Sequence, residues 1–187
     1  MRHLGTKILQ TDKLLLRPFT KDDGPAMYKN WASDPKVTKY LTWPAHADES
    51  VSCAIARDWE ERSANDNFYQ WRIVPKDVAE PIGSISAVQL DDAVGKVHIG
   101  YCIGRKWWHQ GITSRRLAMV IEFFFTQVGA NRVDSRHDTN NPHSGDVMKK
   151  CGMKYEGTLR QSDINNQGLC DAAYYGILKE EWENERK

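Results

Sequence analysis

The chain has 187 residues, 40% of them hydrophobic, and is long enough to bury most of its apolar surface in one core. Twenty-six basic and 25 acidic residues give a net charge of +1, which argues against a nucleic-acid or membrane-surface partner. The four cysteines are widely spaced and form no C-x-x-C, a pattern typical of reduced thiols in a cytoplasmic protein rather than of a zinc or redox site. We expect no signal peptide and no membrane-spanning helix.

Hydrophobic periodicity in the first hundred residues predicts four strands and two helices. The strands are expected at 14–19, 68–74, 81–90 and 97–103. The first helix is predicted from the cap Thr20 to about Ala32, and the second from the cap Asp48 through Ala64.

The remaining residues predict a long helix, a strand, a short helix and a closing hairpin. The long helix carries an apolar stripe and ends near Gly129; the later elements are expected at 132–138, 142–151, 155–164 and 169–178. Residues 179–187 are predicted to be a frayed polar tail. Together these elements indicate a single α/β domain over 1–187, with its core at about 14–178. We expect a mixed, mostly antiparallel sheet of about six to seven strands with helices on both faces.

The segment between the strand at 97–103 and the long helix has the features of a phosphate site. Gly111 permits a tight turn, and the first N–H groups of the helix that follows lack partners within the helix. The dinucleotide motif G-x-G-x-x-G and the nucleotide-loop motif G-x-x-x-x-G-K-[ST] are both missing. A turn of this kind can also simply join a strand to a helix.

A second motif downstream resembles a known family. The pattern N-x-x-S-x-x-V-x-x-K-x-G-[FM] is matched by Asn141, Ser144, Val147, Lys150, Gly152 and Met153. In this order, and with the turn at Gly111, the chain resembles the GCN5-related N-acetyltransferases (GNAT family), which transfer acetyl from acetyl-coenzyme A (acetyl-CoA) to an amine. The family's first motif, [QR]-x-x-G-x-[GA], is matched strictly only at Gly111. The opening LLLRPF and the segment 156–160 are similar to the Rim-type branch, which acetylates ribosomal-protein N-termini.

The resemblance implies how acetyl-CoA binds. The backbone at 110–114 would hold the pyrophosphate, with basic residues at the rim, and the pantetheine arm would pair with the fourth predicted strand where it splays from the fifth. The residues expected to contact the coenzyme are Ile99, Tyr101, Ile103, Trp108, Gln110, Gly111, Ile112, Thr113, Ser114, Arg116, Asn141 and Lys150.

Three residues are candidates for the chemistry. Ser144 could donate a proton to the departing thiolate, or only satisfy the backbone of its own helix. His98 lies on the splayed strand and could accept the amine proton, although many Rim-type relatives carry Glu there. Asp163, His143 and an ordered water are the alternative bases.

The resemblance also places Tyr40 and Trp43 at the acceptor site, although both could be packing residues. The acceptor is expected to be a protein N-terminal α-amine, or a small amine such as a polyamine, amino acid or aminoglycoside. A catalytically silent acyl-CoA-binding module is the alternative from another class. We expect no metal, no direct nucleic-acid contact, and a monomer or homodimer.

Overall fold

Eight strands form one mixed sheet in the computed structural model, which describes residues 1–12 and 14–186. In chain order they are β1 (Leu9–Gln10), β2 (Leu14–Pro18), β3 (Gln70–Pro75), β4 (Gly83–Asp91), β5 (Lys96–Ile103), β6 (Arg132–Asp138), β7 (Lys154–Asn165) and β8 (Gly168–Leu178). The strands lie in the order β1-β2-β3-β4-β5-β6-β8-β7. Neighbouring strands are antiparallel except β5 and β6, which are parallel.

The described residues also form six α-helices: α1 (Gly24–Met27), α2 (Pro35–Thr38), α3 (Glu49–Arg62), α4 (Ile112–Phe123), α5 (Pro142–Lys149) and α6 (Lys179–Asn184). Asp48 caps α3 by accepting a hydrogen bond from the Ser50 N–H, as the sequence predicts. A π-helical turn, Phe124–Val128, extends α4 as far as Gly129, whose φ of +77° ends it. In the part of the chain described here, no helix is long and apolar enough to cross a bilayer.

Two hydrophobic clusters cover the two faces of the sheet. The larger contains Trp71 and Val97 from the strands and Leu117 and Phe124 from the long helix. The smaller forms around Trp31, with α3 packed against it, on the side of the sheet to which Cys102 points. The predicted α/β architecture with helices on both faces is therefore confirmed.

The parallel pairing of β5 and β6 covers three residue pairs, which join Lys96 to Arg132, Val97 to Val133, and His98 to Asp134. Beyond them the strands diverge and leave a gap in the sheet. The predicted splay is therefore present, between the fifth and sixth strands rather than the fourth and fifth. The strand numbers are higher by one because the sequence does not predict β1, which has two residues and is too short to show an alternating pattern.

The first helix spans residues 21–32, as predicted from the cap Thr20, but it is not a regular α-helix. A 3₁₀ turn leads into α1 at Gly24-Pro25, and a wider π-helical turn follows to Ala32. Because proline lacks an N–H, Pro25 donates no hydrogen bond to the turn that precedes it.

The predicted frayed tail is wrong over residues 179–184, which form α6. The Glu181 carboxylate accepts a hydrogen bond from the Leu178 N–H at 3.0 Å, and the Trp182 ring packs against Phe125. Lys187, the last residue of that prediction, lies outside the described residues.

Candidate active site

The turn between β5 and α4 has the geometry of an anion cradle. Gly111 is the N-cap residue of α4 and has a φ of +65°, a left-handed conformation that glycine adopts at little cost. Because α4 begins at Ile112, the N–H groups of Ile112, Thr113 and Ser114 have no partner within the helix. They carry partial positive charge at the helix N-terminus and can therefore hold a phosphate.

A cleft between this turn and α5, here called the first cleft, brings together most of the residues predicted to contact the coenzyme. The predicted coenzyme contacts that line it are Tyr101, Ile103, Trp108, Gly111, Ile112, Thr113, Ser114, Asn141 and Lys150, and the catalytic candidate Ser144 lines it as well. Ile99 is buried against the larger cluster and lines the other cleft described below. The Gln110 side chain turns back and donates to the Lys106 carbonyl at 3.0 Å.

Arg116 does not lie at the rim of the first cleft, so that expectation is wrong. It follows Ile112 by one turn of α4 and is fully buried, with Nη1 donating to the Ile112 carbonyl at 3.3 Å. Burial lowers the pKa of its guanidinium to about 10. Consecutive helical residues point about 100° apart, so Arg115 faces outward while Arg116 faces the core.

The gap between β5 and β6 leaves the backbone of Tyr101 facing open space. Backbone groups of alternate residues along a strand point to the same neighbour. On the β6 side, the Ile99 carbonyl accepts a hydrogen bond from Ser135 Oγ at 2.7 Å, and the Ile103 carbonyl accepts one from Trp108 Nε1 at 2.9 Å. Tyr101 lies between them, beyond the paired segment. Its N–H and C=O can therefore pair with an extended ligand laid in the gap.

A second cleft opens on the other side of β5. The residues that line it include Tyr40, Leu41, Trp43, Trp59, Ser84, Ser86, His98, Arg136 and Asp163. The residues common to both clefts are Tyr40, Leu41, Tyr101, Cys102, Asn141 and Ser144. The two clefts therefore meet beside the N-terminal turn of α5.

Tyr101 and Ser144 contact each other at this junction. Tyr101 Oη lies 2.9 Å from the Ser144 carbonyl oxygen and 3.1 Å from Ser144 Oγ. Because a carbonyl can only accept, the phenol donates to it, and the serine hydroxyl can donate to the phenol oxygen. Burial raises the pKa of Tyr101, which keeps its phenol protonated. Two protonated hydroxyls therefore stand between the clefts.

His98 is buried at the second cleft and is contacted at both ring nitrogens. Nδ1 lies 2.5 Å from Asp134 Oδ1, and Nε2 lies 3.1 Å from Arg136 Nη1. A guanidinium has no acceptor, so Arg136 donates to a lone pair on Nε2, and the ring hydrogen is on Nδ1, where it donates to Asp134. These partners select the neutral imidazole with its hydrogen on Nδ1.

Arg136 also connects His98 to Asp163, which receives hydrogen bonds from Nε at 2.6 Å and Nη2 at 3.1 Å. These bonds hold the pKa of Asp163 below its ordinary value. Burial raises the pKa of Asp134, but the His98 hydrogen bond and the charge of Arg132 outweigh it, so the net shift is downward. Both carboxylates are therefore anionic at neutral pH and are weak bases.

Asp134 and Arg136 are site residues that the sequence patterns do not single out. The sequence does contain a pattern that could have indicated them. Charged residues alternate along β6 and so share one face of the strand: Arg132, Asp134, Arg136 and Asp138. Such a face needs polar partners when it is covered.

His143, one of the alternative bases, is exposed and lines the first cleft rather than the second.

Two cysteines near the clefts are held as thiols. Burial raises the pKa of Cys102, which lines both clefts, and raises that of Cys151 to about 12. Cys151 Sγ donates to the Ser114 carbonyl at 3.1 Å. Because the thiolate is the nucleophilic form, neither side chain is suited to carry an acyl group.

Comparison with known proteins identifies the family. Residues 13–154 match the family model described as an acetyltransferase (GNAT) domain. Uncharacterized N-acetyltransferase YoaA of Bacillus subtilis (strain 168) is 30% identical over 174 residues, which cover 92% of this chain and 97% of YoaA. "Putative ribosomal N-acetyltransferase YdaF" of the same organism is 33% identical over 143 residues, 76% of each chain.

A solved structure shares the fold. Microcin C7 self-immunity acetyltransferase MccE, in complex with acetyl-CoA and AMP, aligns with a TM-score of 0.82 at 20% identity, over 90% of this chain and 93% of that one. The chain described here therefore belongs to the GNAT family and is an N-acetyltransferase.

Proposed function

We propose that the enzyme transfers the acetyl group of acetyl-CoA, bound in the first cleft, directly to an amine bound in the second. The observation that carries this proposal is the meeting of the two clefts at Tyr101 and Ser144. A thioester entering from one side and an amine from the other would come together beside these two hydroxyls.

The first cleft offers groups that fit the pyrophosphate and the pantetheine arm of coenzyme A. The N–H groups at 112–114 fit the pyrophosphate, and the free backbone of Tyr101 fits a pantetheine amide that adds to β5 like a further strand. Asn141 lies at the N-cap of α5 but its side chain makes no cap hydrogen bond, which leaves its amide for the coenzyme. Lys150 lines the same cleft and adds positive charge.

In the proposed reaction the neutral amine attacks the thioester carbonyl, so that a C–N bond forms and the C–S bond breaks. The net proton movement is from the amine to the sulfur of coenzyme A. Ser144 Oγ donates a proton to the departing thiolate while the Tyr101 phenol, which contacts it, can hydrogen-bond to the oxygen left behind. The serine then regains a proton from solvent, to which the base releases the proton taken from the amine. The raised thiol pKa values of Cys102 and Cys151 favour this direct transfer over an acyl-cysteine intermediate.

His98 is the proposed acceptor of the amine proton, at Nε2. Asp134 keeps the ring in the required tautomer and stabilises the imidazolium that forms. Arg136 Nη1 must leave Nε2 in this step, while its two hydrogen bonds to Asp163 hold the rest of the guanidinium in place. Asp163 therefore acts on the base through Arg136.

We expect His98→Gln to lower kcat/KM about tenfold at pH 7 and to leave only the titration of the amine in the acidic limb of its pH profile. Glutamine can donate to Asp134 and accept from Arg136, but it cannot take up a proton. The effect is modest because an α-amine with a pKa of about 8 is already partly neutral. The pH profile of kcat/KM on one acceptor, compared between wild type and variant, measures this because the titration of the amine is the same in both. An unchanged acidic limb would assign the proton to water.

For the acceptor, we propose the N-terminal α-amine of a protein. The second cleft has a volume of about 550 Å³, within the range of pockets that bind whole ligands, and so accommodates more than the reacting amine. Tyr40 and Trp43 supply aromatic surface for the residues that follow the amine. The similarity to YdaF, whose name refers to ribosomal N-acetylation, supports the same acceptor class.

We expect peptides with a free N-terminal amine to release coenzyme A thiol from acetyl-CoA faster than polyamines, free amino acids or aminoglycosides. A thiol-detecting reagent reports turnover, and mass spectrometry locates the added acetyl group. An N-terminally blocked copy of each peptide is the matched control. Faster turnover of a small amine would reassign the acceptor, and binding of acetyl-CoA without turnover of any amine would favour a catalytically silent module.

A further inference from the structure

A side chain near the end of the sequence holds one wall of both clefts. Asn166, in the turn between β7 and β8, donates from Nδ2 to the carbonyls of Thr38 and Trp43, each at 2.8 Å, and of Leu41 at 3.1 Å. Its backbone N–H also donates to the Leu41 carbonyl, at 3.2 Å. Residues 38–43, here called the wall loop, include Tyr40 and Leu41, which line both clefts.

The contact requires an amide in the observed orientation. Three carbonyl oxygens surround Nδ2, and each can only accept a hydrogen bond, so the group facing them must donate. An asparagine NH₂ has two hydrogens and serves three acceptors by sharing one of them. An aspartate of the same shape would place negative charge against the same oxygens and would release the loop.

One backbone hydrogen bond closes a turn inside the wall loop, and another lies beyond it. The Leu41 N–H donates to the Thr38 carbonyl at 2.8 Å, and the His46 N–H donates to the Ala32 carbonyl at 2.9 Å. Neither joins the loop to the sheet, whereas the hydrogen bonds from Asn166 reach the loop at Thr38, Leu41 and Trp43.

We propose that Asn166 is a positioning residue that fixes the wall loop against the β7–β8 turn and so shapes the second cleft for the acceptor. This inference rests on the proposed function of the second cleft. Asn166 does not touch the reacting atoms; it acts through the side chains of Tyr40 and Trp43. Misplacing such groups by about 1 Å lowers rates by about a hundredfold in well-studied enzymes.

The test compares Asn166→Asp with Gln167→Glu. The control adds the same charge in the same turn, at the exposed residue Gln167. Within the described part of the chain, the Gln167 side chain donates one hydrogen bond, to the carbonyl of the neighbouring Asn166. For Asn166→Asp we expect a higher KM for the acceptor and a kcat/KM about tenfold to a hundredfold lower. The affinity for coenzyme A, whose pyrophosphate is proposed to bind the turn at 111–114, should fall much less than the affinity for the acceptor in Asn166→Asp, and should match wild type in Gln167→Glu.

Amide hydrogen exchange supplies a readout that does not depend on turnover. In Asn166→Asp, exchange should rise in the wall loop and stay at the wild-type level at 111–114, with the melting temperature little changed. Wild-type exchange in the wall loop, or acceptor kinetics equal to those of Gln167→Glu, would overturn the inference. A separate outcome is that the wild-type enzyme acetylates no amine while the wall-loop amides still exchange faster in Asn166→Asp. In that case the proposed function fails, but the role of Asn166 in fixing the wall loop is supported.

Discussion

Replacing Gly111 by valine should weaken the binding of acetyl-CoA by about a hundredfold or more, because two or more hydrogen bonds to a charged group lose their geometry. Gly111 has a φ of +65°, and a side chain in this left-handed conformation costs about 1–2 kcal/mol. The added Cβ itself would find room, since its nearest neighbour would be Arg115 Nη1 at 3.8 Å. The valine therefore acts by shifting the backbone that carries the N–H groups, and calorimetric titration with acetyl-CoA measures the loss.

The same helix supplies the control. Gly129 ends the extended helix with a φ of +77°, and nothing lies within 4 Å of the position a Cβ would take. Gly129→Val should therefore lose a similar amount of stability in a thermal melt and retain wild-type affinity for acetyl-CoA. If Gly111→Val also retained wild-type affinity, the turn would be only a connection between β5 and α4.

Ser144→Ala should lower kcat by about tenfold to a thousandfold while the affinity for coenzyme A stays close to wild type. A proton donor to the departing thiolate acts mainly in the transition state, so its removal affects the rate rather than binding. Steady-state kinetics with saturating acetyl-CoA, together with a titration of coenzyme A, separate the two effects.

Tyr101→Phe is the companion variant, because its phenol contacts Ser144 Oγ at 3.1 Å. If Ser144 is the donor and Tyr101 only hydrogen-bonds to it, the phenylalanine variant should retain more activity than the alanine variant. A larger loss in Tyr101→Phe would make the phenol the donor. Wild-type kcat in Ser144→Ala would leave the serine with a structural role in α5.

The parts of the fold that were predicted correctly are those set by local sequence. The apolar stripe of the long helix, the glycine at each of its ends and the alternation along β5 each lie within a short window, and each was found. The C-terminal helix was missed because its stability depends on Trp182 reaching Phe125 in another element. A polar composition alone does not reveal such a contact.

The side chains that contact His98 could not be predicted from the sequence. Alternation places His98 on the correct face of β5, but Asp134 and Arg136 come from a strand more than thirty residues later. Their distance from the ring is set by the three-pair parallel register, which the sequence does not encode locally. In this chain a glutamate at position 98 would face the Asp134 carboxylate, whereas the histidine can donate to it.

The contact between Asn166 and the wall loop also determines when the lining of the clefts can be completed during synthesis. Chains emerge from the ribosome N-terminus first, and segments fold once their partners have emerged. The wall loop and the turn that carries Asn166 are made far apart in time, because Thr38 and Asn166 are separated by 128 positions in the chain. Since Tyr40 and Leu41 line both clefts, neither cleft has its complete lining until residue 166 has been made.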